Sequence, residues 1–266
     1  MMLFALAVVF LIPLFYTISG SFMKAGQLNS SGFEFIPKEF NISQYFRLGV
    51  FKGKYFLFFM NSLKISVFSI IGHFLLSLLA AYTLAKSKSK WMNAIFIIYV
   101  LLLLLPFQVT FVPNMLVMKK IEEWFGWQIL NTHYAIILPN VFCAFGVFLL
   151  RQFIRELPDD LIEAARLDGA GELKILFRIV LPNIKPAVMT LIFLLFIDYW
   201  NIIEQAIIFL DTEAQMPLSV FLETIFYEDF SVFYSGSILY IFPAVILFFR
   251  LDKHIYEGIS IGWGEK

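Results

Sequence analysis

The chain has 266 residues, of which 60% are apolar, 18% aromatic and 15% charged, with zero formal net charge and a mean hydropathy of +0.82. Soluble domains carry about a quarter charged residues, so this composition excludes a water-soluble globular protein, and the neutral balance gives no bulk attraction for nucleic acid. The lone cysteine, Cys143, excludes an internal disulfide.

Apolar runs long enough to cross a hydrocarbon core about 30 Å thick as helices predict six spans, at 1–18, 65–85, 91–118, 133–150, 186–210 and 232–249. The fifth carries two acids, Asp198 and Glu204. Runs such as Leu101–Leu105 are the opposite of the alternation a β-barrel needs, and a lone lipid-exposed segment satisfies its own backbone only as a helix. The fold class is therefore all-α integral membrane, with six transmembrane helices in a single domain over 1–266. The first span starts at Met1 without a basic flank or a small-residue cleavage site, so it reads as a retained helix. Residues 19–58, with Pro37, Asn41, Tyr45 and several Phe, suffice for a small folded cap. The stretch 113–132 includes the amphipathic run 119–125, which suits a helix at the interface with Trp124 and Trp127 at headgroup depth.

Basic residues orient the spans. The loops 86–90 and 151–185 and the tail 250–266 hold twelve Lys or Arg in 57 residues, whereas 19–58, 113–132 and 209–230 hold seven in 82. The positive-inside rule places both termini and the 151–185 loop in the cytoplasm. The segment 209–230 has no basic residue but carries Asp211, Glu213, Glu223, Glu228 and Asp229, which places it outside.

The cytoplasmic loop is the most informative segment. Pro158, Asp159, Asp160 and Glu163 form a capping-box-like helix start, and Gly169 is placed to end that helix after about two and a half turns. Ala164 and Ala165 allow another backbone to come close, while Glu163, Arg166 and Asp168 offer charge. A second helix is predicted from Glu172, with Leu173, Leu176, Phe177 and Val180 on one packed face. Pro182 and Pro186 then redirect the chain into the fifth span.

The pattern Glu163-Ala164-Ala165, Gly169, Ile179 and Leu181-Pro182 resembles the signature of inner-membrane permease subunits of binding-protein-dependent ABC importers. Asn61-Ser62-Leu63, Asn131-Thr132, Ile137-Leu138-Pro139, the run 149–153, Asp168-Gly169-Ala170 and Trp200-Asn201 resemble the carbohydrate-uptake subgroup, in particular the smaller six-helix partner of a maltose-type pair. The resemblance covers roughly 40–250. It implies a type I (MetI-like) permease fold in which the 153–185 loop carries a cytoplasmic coupling helix. Glu163, Ala164, Ala165, Arg166, Asp168 and Gly169 would seat in a cleft of a cytoplasmic ATPase. It also implies the partners: a second permease subunit in a heterodimer, two ATPase subunits, an extracytoplasmic substrate-binding protein and membrane lipid. The cell would be bacterial and the location its inner membrane. No Gly-x4-Gly-Lys-Ser/Thr phosphate loop occurs, Gly49 to Lys54 being too short and on the wrong side. No cofactor is expected in this chain, ATP and Mg belonging to the ATPase partners, and neither catalytic nor metal-ligating residues are expected.

Polar residues inside the membrane complete the pattern. A charge near the bilayer centre costs on the order of 3 kcal/mol, so it normally faces a cavity or a partner. Asp198, Tyr199, Trp200, Asn201 and Glu204 suit a sugar, which stacks on aromatics and hydrogen-bonds carboxylates and amides. They equally suit helix–helix adhesion or a gate lining. Where relatives of this type carry Asp and then Pro after Trp-Asn, this chain has Ile202 and Ala206. His73 reads as a neutral, hydrogen-bonded core histidine. A proton-coupled carrier using Asp198, Glu204 and His73 is the alternative function, although such a carrier needs no ATPase dock. The C-terminal tail keeps the glycine spacing of the family at Gly258, Gly262 and Gly264.

Overall fold

The computed structural model describes residues 2–28, 34–50, 54–87 and 89–262. In chain order the helices are α1 (Met2–Gly20), α2 (Ala25–Leu28), α3 (Ser43–Val50), α4 (Tyr55–Lys86), α5 (Lys90–Leu103), α6 (Phe107–Phe125), α7 (Tyr134–Val141), α8 (Phe145–Glu156), α9 (Asp159–Leu167) and α10 (Glu172–Ile175). A π turn, Leu176–Val180, leads into α11 (Leu181–Asn183), α12 (Lys185–Trp200), α13 (Glu204–Phe209), α14 (Leu218–Glu228) and α15 (Phe230–Gly262). The described residues contain no strand, and the chain is all-α.

Among the described residues, three helical stretches are long and apolar enough to cross a membrane: Tyr55–Lys86, Tyr134–Glu156 and Phe230–His254. The second span therefore begins well before residue 65: Lys64 is exposed and leaves the helix unbroken. The span predicted at 91–118 is not one rod. It bends by 110° between Lys90–Leu103 and Gln108–Phe125. Pro106 is the cause, because a residue before proline avoids the helical region. The last turn of α5 accordingly tightens, with Leu104 N–H donating to Leu101 O at 3.1 Å and Leu105 N–H to Leu102 O at 3.2 Å. A second bend, of 82°, separates Glu172–Asn183 from Lys185–Trp200. The fifth span is also interrupted at its far end, since α12 stops at Trp200 and α13 starts at Glu204. The first apolar helix, α1, has 19 residues and carries Pro13 inside it.

The chain forms two compact units, residues 1–63 with 201–246, and 64–200 with 247–266. In the first, the described part of 19–58 folds as a small cap. Phe22 stacks on Phe40 at 4.5 Å, Arg47 pairs with Asp229, and Met23 and Leu48 are buried. The start of α4 holds the 211–218 loop: Asn61 Nδ2 donates to Ala214 O at 2.8 Å and Met216 O at 3.0 Å, and Ser62 Oγ accepts from Leu218 N–H at 2.8 Å. These bonds give the Asn-Ser pair a physical role, because a loop carbonyl at a membrane boundary needs a donor.

In the second unit, α4 is drawn close to α7 and α8. A Cβ added at Gly72 would meet Val141 Cγ2 at 2.5 Å, and one added at Gly146 would meet His73 Nε2 and Ser77 Oγ at 2.5 Å. Arg151 closes the inner end of this packing. Its side chain is buried, donates to Leu84 O at 3.2 Å and Asn93 Oδ1 at 3.0 Å, and lies 3.6 Å over the Phe96 ring. The guanidinium thus neutralises carbonyls at the C-terminal end of α4 and ties that helix to α5 and α8. At the end of α6, Gly126 takes a left-handed φ of 68°, while Glu122 Oε1 accepts from the Ile129 and Leu130 amides at 2.7 Å. Trp124 and Trp127 are exposed there.

Candidate functional site

Two regions of the second unit concentrate polar chemistry: the loop around α9, and the membrane-depth break between α7 and α8.

Helix α9 begins at Asp159 behind Pro158, which presents no side-chain cap. The expected capping box is not formed, because the helix starts two residues too early for Asp160 to be its cap. Asp159 and Asp160 instead lie in the first turn, where negative charge complements the helix dipole. The other end follows expectation. Gly169 has φ +79°, its N–H donates to Arg166 O at 3.0 Å, and Ala170 N–H reaches back to Ala165 O at 3.0 Å. This is a Schellman closure, which needs a residue tolerant of the left-handed region. No atom lies within 4 Å of a Cβ built on Gly169, so backbone conformation alone demands glycine there.

The helix has two faces. Ile162 and Ala165 are buried, whereas Glu163, Ala164, Leu167 and Asp168 are exposed. Ala165, 7% exposed, therefore turns into the chain and away from the face carrying the rest of the motif, while Ala164 keeps that face flat. Leu167 is 89% exposed. Sequence reasoning passed over it, although an apolar residue opposite Ile162 and Ala165 on an amphipathic helix was a legible signal.

Behind α9 the predicted packed face is corrected. Leu173 is 65% and Phe177 45% exposed, while Ile175, Leu176 and Val180 are buried. Leu176 and Val180 keep the predicted face; from Leu176 the chain makes a π turn, with Leu181 N–H donating to Leu176 O, five residues back, and Phe177 leaves that face there. The wide turn also makes room for the ring of Pro182, which a regular helix would press on the carbonyl four residues earlier.

Polar bonds join this loop to α4. Tyr82 Oη donates to Glu172 Oε2 at 2.6 Å, and Arg166 Nε donates to Glu172 Oε1 at 2.8 Å. Lys86 Nζ donates to Leu157 O at 2.8 Å and pairs with Asp159 Oδ1 at 2.9 Å. The bonds from Arg166 and then Tyr82 hold the Glu172 carboxyl below its ordinary range, and the same pairing raises Arg166.

At membrane depth, α7 ends at Val141 and α8 resumes at Phe145, a break that frees backbone groups. His73 is fully buried on α4 and meets the break. Gly146 N–H donates to His73 Nε2 at 3.0 Å, His73 Nδ1 lies 2.6 Å from Tyr199 Oη, and Tyr199 Oη donates to Asn140 O at 3.0 Å. With Nε2 accepting, Nδ1 carries the hydrogen, so both ring nitrogens of a neutral imidazole are used. A closed chain of this kind satisfies backbone that water cannot reach. Both nitrogens of His73 are engaged in holding the break together, the hydrogen-bonded core role expected for it.

The intramembrane residues predicted to form one cluster do different things. In the second unit Tyr199 and Trp200 are buried, Trp200 stacking on Phe196 at 5.3 Å, whereas Asp198 is exposed on the last turn of α12. In the first unit Asn201 Oδ1 accepts from Tyr240 Oη at 2.9 Å, and Glu204 is exposed at the start of α13. The aromatic rings are thus packing elements, and the exposed polar groups are Asp198, Asn201 and Glu204. The side chains of residues 255–262 and all of 263–266, the glycine-spaced tail, lie outside the described residues.

Comparison with known proteins agrees with this architecture. A family model described as a binding-protein-dependent transport system inner membrane component matches residues 73–260. The chain is 28% identical over 262 residues to the arabinooligosaccharides transport system permease protein AraQ of Halalkalibacterium halodurans, covering 97% of this chain and 92% of that one. It is 32% identical over 210 residues to the melibiose/raffinose/stachyose import permease protein MelC of Bacillus subtilis, covering 77% and 74%. Among solved structures, a chain of a bacterial ABC transporter involved in the import of alginate superposes with a TM-score of 0.82 at 23% identity, over 96% of this chain and 94% of that one.

Proposed function

Because this chain belongs to the family of binding-protein-dependent transport system inner membrane components, we propose that it imports a sugar or oligosaccharide as one half of a heterodimeric permease. Family membership makes it a transport component and not an enzyme. In the proposed assembly a second permease subunit completes the pore, two cytoplasmic ATPase subunits bind ATP and Mg, and an extracytoplasmic binding protein delivers cargo. Both termini and α9 lie in the cytoplasm, following the distribution of basic residues. The carbohydrate cargo rests on the relatives, whose names specify arabino-oligosaccharides and the melibiose, raffinose and stachyose series.

The single observation that carries the coupling role is the exposed face of α9. Glu163, Ala164, Leu167 and Asp168 project from a short helix that Gly169 ends abruptly. An apolar residue as exposed as Leu167, flanked by acids and a flat Ala, suits insertion into a cleft of another protein. The exposed Asp198, Asn201 and Glu204 are proposed to line the substrate path or its gate.

Uptake by the reconstituted complex tests the function. Vesicles holding this chain, its permease partner and the ATPase should accumulate arabinotriose or raffinose when ATP and the binding protein are supplied. Uptake that proceeds without ATP and collapses with the proton gradient would overturn the proposal. A single cysteine replacing Lys174, in a Cys143→Ser background, should react with an impermeant thiol reagent from the cytoplasmic side only, and one replacing Glu213 from outside only.

A further inference from the structure

Helix α9 is attached to the second span at both of its ends. Tyr82 and Lys86 are four residues apart on α4 and so share one face. Lys86, whose side chain is only 9% exposed, holds Leu157 O and Asp159 at the start of α9. Tyr82 holds Glu172, and Glu172 holds Arg166 in the last turn of α9. The two oxygens of one carboxylate thus serve two different helices.

Between the ties the packing is loose. An open pocket of about 340 Å³ lies here, lined by Leu79, Tyr82 and Lys86 of α4 and by Arg166, Glu172 and Leu176. Close packing transmits displacement through direct contact, and a void does not. Around this pocket the polar ties therefore add a direct connection to the packing of the buried Ile162 and Ala165. A single tie would act as a pivot, whereas two ties at opposite ends of a nine-residue helix also resist rotation.

We infer that α4 clamps the docking helix at two points, through Lys86 at its start and through Tyr82 and Glu172 at its end, so that a push on α9 moves the second span as one body with it. This rests on the reading of α9 as the ATPase dock. Arg166 and Glu172 are about half exposed, and exposed ion pairs add little to fold stability. Their contribution is to position α9 against α4.

Spin labels test the clamp without knowledge of the cargo. In a Cys143→Ser background, labels at Leu75→Cys on α4 and Leu161→Cys on α9 report the distance between the helices in the complete complex, with and without ATP and vanadate. The intact clamp should give one narrow distance in both states. Tyr82→Phe, Glu172→Ala and Lys86→Met should each broaden it and make it shift with nucleotide by about 2 Å, the scale of helix sliding. Tyr82→Phe removes a single hydroxyl, which separates loss of the tie from loss of the fold. A distance that changes with nucleotide in the intact chain would overturn the inference, as would variants that behave like it. Crosslinking of Asp168→Cys to the ATPase, run alongside, reports the dock itself. If that crosslink fails to form with the clamp intact, the docking assignment falls and the inference with it. If it forms with the clamp intact but is lost in the variants, the ties only shape the dock, and transmission through them is refuted.

Discussion

The α9 loop and the break between α7 and α8 solve the same problem, an interrupted helix, in opposite surroundings. At the loop, water is present and the backbone does the work: a left-handed Gly169 closes α9 by itself, and the side chains on the outer face stay free to meet another protein. At the break, water is absent, so His73, Tyr199 and the backbone of Gly146 and Asn140 satisfy one another in a closed chain. The contrast teaches that substitutions at the break should act on stability, while substitutions at the loop should act on coupling.

The largest expected effect is at the break. A methyl group at Gly146 would lie 2.5 Å from His73 Nε2 and Ser77 Oγ, both on the rigid body of α4. Gly146→Ala should cost at least the roughly 1–3 kcal/mol typical of overpacking, seen as a lower thermal midpoint and a poor yield of extracted protein. Next comes Tyr199→Phe, which takes the hydroxyl partner from the buried His73 Nδ1, while Asn140 O keeps the Cys143 N–H at 3.3 Å. A stranded buried polar group costs about 1–3 kcal/mol, and the loss should appear in thermal stability without regard to cargo. A Tyr199→Phe protein as stable as the parent would erase the distinction between the two regions.

A smaller and more selective effect is expected at the loop. Gly169→Ala forces a Cβ into the left-handed region, at roughly 1–2 kcal/mol of local strain, whereas Gly171 has φ −71° and open space around it. Gly169→Ala should therefore reduce ATPase association and leave the thermal midpoint of the spans nearly unchanged, and Gly171→Ala should change neither. Equal effects from the two would show that the Schellman closure does not set the geometry of the dock.

The smallest effect concerns pH. The Glu172 carboxyl is held below its ordinary value, first by Arg166 and then by Tyr82. A carboxylate with a lowered folded-state value stabilises above its unfolded value, about 4.3, and loses that contribution only as pH falls through the lower one. From pH 8 to pH 5.5 the α9 to α4 distance should stay constant. A transition near pH 6 would point to a different protonating group.

How legible each region was in the sequence follows from the same physics. The closure of α9 could be read because Gly169 and Pro158 act through local backbone rules that need no tertiary partner. The all-α membrane class could be read because hydrocarbon imposes long apolar runs. The π turn at Leu176–Val180 could not, since regular periodicity counts 3.6 residues per turn and placed Phe177 on the wrong side. The bend before Pro106 was hidden inside a continuous apolar run, where hydropathy gives no mark of direction. His73 was legible as a bonded core histidine, but its partners lie 73 and 126 residues away and only the fold brings them together. Leu167 was visible yet passed over, because the charged and small residues around it matched a known motif and it did not.

The most direct test of the central claim is retention of the ATPase by the extracted membrane complex. Leu167→Asp buries a charge where an apolar contact is expected, and Glu163→Lys reverses the charge beside it. Both residues are exposed on the chain itself, so neither change should disturb insertion of the spans. If α9 is the dock, Leu167→Asp should lower the ATPase recovered with the chain by about tenfold or more, as loss of a central apolar anchor does. Glu163→Lys should lower it to a lesser degree. Full recovery of ATPase with both variants, at normal levels of the permease, would contradict the account.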